Sequence, residues 1–108
     1  MRRQDESALR RKCCQYMDKF DNILYWYDRD SRKNKAGKLD LEIHIRYRFG
    51  DVRTLLVELK NPRGGRIEPE QLTWLEFFSR SNSTVAFVTD DFDEFCDIIN
   101  VYRKETTQ

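Results

Sequence analysis

Hydrophobic and polar residues alternate along two stretches of the chain that a short turn separates. Apolar and polar side chains follow each other strictly over residues 39–48, and a second, more apolar run covers residues 52–60. Alternation with a period of two is typical of a β-strand with one face in the core. Because Phe49, Gly50 and Asp51 favour a tight turn, the pattern predicts a β-hairpin.

Helical and strand patterns flank this hairpin. Apolar residues recur at steps of three and four over residues 7–20, 68–80 and 91–102, which predicts three helices, the second of them buried. Apolar runs at residues 23–27 and 85–88 predict two more strands. Thr89 or Asp90 is the expected cap of the last helix. The predicted order is α-β-β-β-α-β-α, with a right-handed parallel crossover between the last two strands.

Length and composition limit what the chain can be. Its 108 residues, 13% of them aromatic, suit one domain over residues 1–104 with a polar tail at 105–108. No apolar run approaches the roughly 18 residues of a membrane span, and no signal peptide is visible. We therefore expect an intracellular protein, cytoplasmic or nuclear, that contacts no membrane. The three cysteines include no CxxC pair and are expected to be ordinary buried or half-buried residues.

Charged residues at the open end of the hairpin form the candidate active site. Glu58 and Lys60 stand two residues apart on one strand, so their side chains project from the same face. Asp40 begins the polar face of the other strand and, counted from a turn at Gly50, pairs with Lys60. Two carboxylates suit Mg²⁺ or Mn²⁺, and a neighbouring lysine can orient or deprotonate a water. A plain surface ion-pair network is the alternative interpretation.

The residues around this cluster resemble a known group of nucleases. Asp40 followed, after a hairpin, by an ExK sequence that ends in Lys60 resembles the PD-(D/E)XK nuclease superfamily. The segments AGKLDL and LLVELKNPRGGRIEPEQLTWL are similar to its VRR-NUC domain, the virus-type replication-repair nuclease. The family order of Gly, Asp, ExK and a Gln on the next helix is matched here by Gly37, Asp40, Glu58, Lys60 and Gln71. Leu39 departs from the pattern, because the family often has Pro before the Asp.

The resemblance implies a fold and a set of roles. The fold would be α/β and restriction-endonuclease-like, an α-β-β-β-α-β core with a mixed sheet flanked by helices. Asp40, Glu58 and the Leu59 carbonyl would bind the metal, Lys60 would act on the attacking water, and Gln71 would complete the catalytic set. Glu6 on the first helix is the best match for a further metal-ligating glutamate. Helix geometry alone instead predicts that Gln71 is an exposed polar residue.

Basic loops near the site are candidates for binding DNA. A net charge of only +1 means that any attraction for phosphate must be local. Two loops carry the candidate contacts: Arg32, Lys33, Lys35, Lys38, Arg63 and Arg66. Ordinary solvated loops are the alternative. His44, with no neighbouring Cys or His, is expected to be a surface or hairpin residue, and Trp26 and Trp74 are expected in the core.

The function follows from these expectations. A stand-alone VRR-NUC domain resembles the Holliday-junction resolvases, which act as dimers, so we expect a metal-dependent, structure-selective DNA endonuclease that works on branched or junction DNA as a homodimer. Phe77, with Phe87 or Ile98, is the expected interface. The alternatives are a catalytically weak DNA-binding or assembly subunit with the same fold, and a non-nuclease domain with a surface ion-pair cluster.

Overall fold

A computed structural model of the chain contains the predicted elements in the predicted order. It describes residues 2–27, 39–47, 50–60, 69–81 and 83–104, with side chains from residue 7 onward. The elements are α1 (Arg2–Met17), β1 (Ile23–Tyr27), β2 (Leu41–Arg46), β3 (Val52–Leu59), α2 (Pro69–Phe78), β4 (Thr84–Thr89) and α3 (Phe92–Lys104).

The strands form one mixed sheet in the order β1-β2-β3-β4. β1 pairs with β2, and β2 with β3, in antiparallel fashion, whereas β3 and β4 are parallel. A parallel pair needs a long crossover connection, and here the chain between β3 and β4 includes α2. The sheet with its flanking helices is the restriction-endonuclease-like α/β fold that the sequence predicted.

One face of the sheet is a closed hydrophobic core. Alternate residues of β2 and β3 are apolar and lie on the same side, where α1 and α3 cover them. Each buried aliphatic or aromatic side chain of this kind contributes roughly 1.5–3 kcal/mol relative to exposure. The central members, all inaccessible to solvent, are Cys13, Met17, Leu41, Ile43, Ile45, Leu55, Val57, Phe95 and Ile99.

The opposite face is only partly covered. α2 packs on this face next to β4, and Trp74 and Phe78 line a cavity together with side chains of β2 and β3. The prediction of a buried second helix is wrong, because the outer side of α2 meets solvent and Phe77 is 75% exposed. Trp26 on β1 was predicted in the core but is 50% exposed, because it lies on the opposite face of the strand from Tyr25 and Tyr27, which pack against the core.

Several element boundaries differ from the prediction. α1 begins at Arg2 and ends at Met17, and β2 is shorter than the alternating pattern. The residue that caps α3 is Asp91, whose Oδ2 accepts a hydrogen bond from the Glu94 N–H at 3.2 Å. The Thr89 hydroxyl instead donates to the Asp91 carbonyl and accepts from the Asp91 N–H in the turn before α3. No helix in the described part of the chain has the length and apolar composition needed to cross a membrane.

The hairpin turn determines which residues face each other at the candidate site. The Tyr47 N–H donates to the Asp51 carbonyl at 2.6 Å, and Gly50 has φ of 95°, which favours glycine. The resulting register pairs Leu41 with Val57, so the next residue, Asp40, lies level with Glu58. The predicted pairing of Asp40 with Lys60 is therefore wrong by two residues. An even shift leaves every side chain on its predicted face.

The cysteines behave as small packing residues. Cys13 is buried in the core cluster, and Cys14 and Cys96 are half-buried. Burial, with smaller contributions from Cys14 and Cys96, raises the pKa of Cys13 to about 12. The Cys13 thiol is therefore protonated at neutral pH and a poor nucleophile.

Candidate metal centre

Glu58 is the centre of a compact polar cluster at the end of β3. Its side chain is buried, with 5% of the residue exposed. The Asp40 backbone N–H donates to Glu58 Oε1 at 3.1 Å, and Lys60 Nζ lies 3.4 Å from Glu58 Oε2. The Gln71 side chain from α2 also hydrogen-bonds to Glu58. The structure thus brings together four residues that the sequence singled out: Asp40 just before β2, Glu58 in β3, Lys60 just after it, and Gln71 in α2.

The surroundings of Glu58 change its protonation. Burial raises the pKa of Glu58 to about 7, and the nearby Asp40 charge acts in the same direction, while Lys60 and Gln71 oppose the shift. Near neutral pH this carboxyl is therefore divided between its protonated and ionised forms. A cation bound beside it would favour the ionised form, because opposite charge lowers a carboxyl pKa.

The Leu59 carbonyl faces the same side as Asp40. The Lys60 N–H donates to the Thr89 carbonyl at 3.0 Å, toward β4. The described peptide bonds are all trans. In a trans peptide the N–H and the C=O point in opposite directions. The Leu59 carbonyl, which shares this peptide with Lys60, is therefore directed toward β2.

These donors fit a hard divalent cation. The described residues contain no group of three or more His, Cys, Asp or Glu side chains that could hold a metal. Two carboxylates, from Asp40 and Glu58, and one backbone carbonyl are nevertheless suitable for Mg²⁺ or Mn²⁺, because Mg²⁺ keeps several waters in its shell and uses one or two protein carboxylates. All three groups offer oxygen, and none offers the sulfur that would favour zinc.

Gln71 is buried, with 9% of the residue exposed, which contradicts the exposed position that helix geometry had been taken to predict. Trp74, Leu75 and Phe78 follow it at spacings of three, four and seven residues, which places all four on one stripe of α2. The stripe faces the sheet, because Trp74 and Phe78 line the cavity against β2 and β3. The VRR-NUC resemblance implied a supporting position for Gln71 in the catalytic set, and that role stays a prediction.

The other predicted site residues lie outside the described part of the structure. α1 includes Glu6, but its side chain is not among those described. Six basic residues predicted to bind DNA lie entirely outside the described ranges: Arg32, Lys33, Lys35, Lys38, Arg63 and Arg66. Their roles stay predictions.

A second polar cluster, which the sequence reasoning missed, continues along the same face of the sheet. His44, predicted to be a surface or hairpin residue, lies on the hairpin strand β2, where it is half-buried and both of its ring nitrogens have partners. Nε2 lies 2.8 Å from Glu42 Oε2, and Nδ1 lies 2.9 Å from Thr54 Oγ1. The signal that could have identified it is the alternation itself, since Asp40, Glu42 and His44 share one strand face.

The comparisons with known proteins agree with this architecture. The chain is similar to a solved VRR_NUC domain with a TM-score of 0.68 and 19% sequence identity, over 91% of this chain and 97% of that chain. No sequence profile of a known family matches the chain, and no curated protein sequence matches it. The chain therefore has the fold of a VRR-NUC domain, as the sequence resemblance implied.

Proposed function

We propose that this protein is a metal-dependent nuclease that hydrolyses phosphodiester bonds in DNA. The observation that carries the proposal is the buried Glu58, held against Asp40, Lys60 and Gln71 at the carboxyl end of β3. Strand ends are where α/β sheets place their ligands. A carboxyl with a strongly raised pKa beside charged partners is a typical feature of a functional site. The VRR-NUC fold makes the same reaction class the natural expectation.

Asp40, Glu58 and the Leu59 carbonyl would hold Mg²⁺ or Mn²⁺. The bound ion supplies a Lewis acid for the scissile phosphate and lowers the pKa of a coordinated water. The protein contributes fixed geometry, because the backbone hydrogen bond of Lys60 to Thr89 and the side-chain hydrogen bond of Gln71 hold the strand end and Glu58 in place. A rigid set of ligands reduces the reorganisation needed during the reaction.

Lys60 and Gln71 have separate tasks in this proposal. Lys60 Nζ is half-buried and 3.4 Å from Glu58 Oε2, close enough to contact a water bound between Glu58 and the phosphate. Lys60 orients that water, accepts or relays its proton, and offsets the charge that develops on the phosphate. Gln71 is a positioning residue, which acts through its hydrogen bond to Glu58.

The substrate in this proposal is branched DNA cut by a homodimer, because paired cuts at a junction need two symmetric sites. Phe77 on the outer side of α2 is 75% exposed, which suits an interface. Phe87 and Ile98, the other predicted interface residues, pack instead against the core and are not part of the proposed interface. Phe77→Ser should therefore shift a dimer to a 13.1 kDa monomer in light scattering at micromolar concentration. A wild-type protein that is monomeric while it cuts junctions symmetrically would contradict this part.

The test of the proposed function is a cleavage assay. Purified protein is incubated with a four-way junction, a flap and a linear duplex in Mg²⁺, in Mn²⁺ and in EDTA, with Glu58→Gln as the inactive variant. Glu76→Gln, an exposed acidic residue of the same charge on the outer side of α2, is the matched control. We expect wild type and Glu76→Gln to cleave DNA in Mg²⁺ or Mn²⁺ but not in EDTA. Glu58→Gln should not cleave DNA under any of these conditions. DNA binding without cleavage would instead favour the catalytically weak binding subunit.

A further inference from the structure

A cavity of about 280 Å³ lies between α2 and the sheet, beside the candidate metal centre. Drug-sized ligands occupy cavities of about 300–1,000 Å³, so this one suits something smaller, such as a single heterocycle. Its walls combine flat aromatic surface with polar groups. The lining residues are Leu39, Glu42, His44, Thr54, Leu56, Trp74, Phe78 and Thr84.

The cavity lies next to the metal centre along the strands. Leu39 immediately precedes Asp40, and Leu56 stands two residues before Glu58 on the same strand face. Two residues along a strand cover roughly 7 Å, which is close to the reach of one nucleotide. A DNA strand whose phosphate lies at Glu58 can therefore place a neighbouring base in the cavity.

The polar floor of the cavity is already oriented. His44 is fixed by hydrogen bonds on both sides, to Glu42 at 2.8 Å and to Thr54 at 2.9 Å. Trp74, stacked on Phe78 with ring centroids 6.2 Å apart, forms the opposite wall. An aromatic face together with hydrogen-bonding groups is the combination that proteins use to bind an unpaired base.

We infer that this cavity binds one unpaired base of the DNA strand that the metal centre cuts. The inference rests on the proposed function and names its substrate class, which is DNA with at least one unpaired nucleotide next to the scissile phosphate. A fully paired duplex must first unpair a base, which costs free energy. The cavity therefore selects flaps, mismatches and branch points over linear duplex.

The test replaces single bases of the substrate. A duplex with a short single-stranded tail is titrated in EDTA by fluorescence anisotropy, with an abasic residue moved along the tail one position at a time. The abasic residue removes a base but keeps the phosphate, so the folding of the protein is not affected. We expect one position, next to the branch point, to weaken binding roughly tenfold, which is within the usual range for the loss of a stacked base.

Protein variants connect that position to the cavity. Trp74→Leu should abolish the difference between the intact and the abasic tail. Leu72→Ala, an exposed residue of the same helix, should retain it. Leu56→Phe narrows the cavity from the sheet side and provides the same comparison if Trp74→Leu does not fold. Equal effects at every position, or a position-specific effect that both cavity variants retain, would overturn the inference.

The two proposals fail separately. Cleavage in Mn²⁺ without a position-specific abasic effect would refute the base-binding cavity and leave the nuclease proposal intact. A position-specific abasic effect in a protein that cuts no DNA in either metal would support the cavity and refute the nuclease.

Discussion

The two faces of the sheet are built from the same strands but differ in polarity and in burial. On the core face, Leu41, Ile43 and Val57 are completely inaccessible to solvent and have apolar neighbours from α1 and α3. On the opposite face, Glu42, His44 and Thr54 are half-buried and hydrogen-bond to one another. One face stabilises the fold by excluding water, and the other keeps polar groups in fixed positions where a ligand can reach them.

The core face stabilises the fold, whereas the polar face contains an arrangement that is unfavourable by itself. Glu58 belongs to the polar face but is as buried as the core residues Leu9 and Ile23. Burying a carboxylate beside another carboxylate is unfavourable unless a proton, a cation or a hydrogen-bonding partner compensates. The fold tolerates this arrangement because the core face supplies the stability. Substitutions on the two faces should therefore separate stability from activity.

The largest expected effect is on activity. Asp40→Ala or Glu58→Ala removes a proposed oxygen ligand and should reduce cleavage by roughly 10³-fold or more, because metal stabilisation of the transition state is worth several kcal/mol. Circular dichroism should show that each variant remains folded. Cleavage assays at saturating Mn²⁺ provide the measurement, and an Asp40→Ala protein of wild-type activity would contradict the assignment.

A substitution on the core face should have the opposite outcome. Ile43→Ala leaves a cavity at a fully buried position and should lower the free energy of unfolding by about 3 kcal/mol. Thr54→Ala, on the neighbouring strand but facing the polar side, is the control and should lose no more than about 1 kcal/mol with its hydrogen bond to His44. Urea denaturation in EDTA measures both changes. Equal losses would contradict the distinction between a stabilising core face and a polar face.

Glu58 should make the stability of the metal-free protein depend on pH. Its pKa in the folded protein is about 7, above the ordinary value of 4.5, so the folded state binds the proton more tightly than the unfolded state. The contribution of Glu58 to the free energy of unfolding is fully present below pH 4.5 and is lost as the pH rises through 7. Glu58→Gln should remove this loss and be more stable than wild type at pH 8 by up to about 3 kcal/mol.

The comparison of urea denaturation at pH 5 and pH 8 in EDTA provides the check. Glu76→Gln should keep the wild-type pH dependence, because that carboxylate is exposed. If wild type and Glu58→Gln lose stability equally between the two pH values, the raised pKa of Glu58 is refuted.

The smallest of these effects concerns Lys60. Lys60→Ala should reduce turnover by roughly 10²-fold while DNA affinity stays close to wild type, as expected for a group that acts in proton transfer and charge stabilisation. Lys60 also lowers the pKa of Glu58, so its removal should displace the pH–activity profile toward higher pH. Equal losses of binding and turnover would instead identify Lys60 as a contact to the phosphate backbone.

The sequence predicted the order of elements because each carried a local signal. Strict alternation in β2 and the apolar run of β1 were unambiguous, and β1 was predicted with its observed bounds. The polarity of each face could also be predicted, since it depends only on whether a position is odd or even. The pairing of Asp40 depends on where the strands begin to pair beside the turn, which the Tyr47–Asp51 hydrogen bond marks, and the predicted pairing was wrong by two positions.

The errors on α2 and β1 have a different origin. The exposure of Trp26 and of the outer side of α2 depends on which elements cover them, and that is a property of tertiary packing rather than of local pattern. The exposure of Phe77 itself was predicted, because Phe77 was an expected interface residue. Gln71 was within reach of sequence reasoning, because it shares a helical stripe with Trp74 and Phe78. The sequence pattern predicted too wide an apolar face for α2. It therefore predicted Gln71 as exposed, although Gln71 lies on the stripe that faces the sheet.

We propose that Asp40 and Glu58 together hold a divalent cation on the polar face of the sheet. Calorimetric titration of Mn²⁺ into wild type, Asp40→Ala and Glu76→Gln at pH 8 tests it most directly, because most of the Glu58 carboxyl is then ionised. Wild type and Glu76→Gln should bind Mn²⁺ with equal affinity, and Asp40→Ala should bind it much more weakly. Wild-type affinity in Asp40→Ala would contradict the claim.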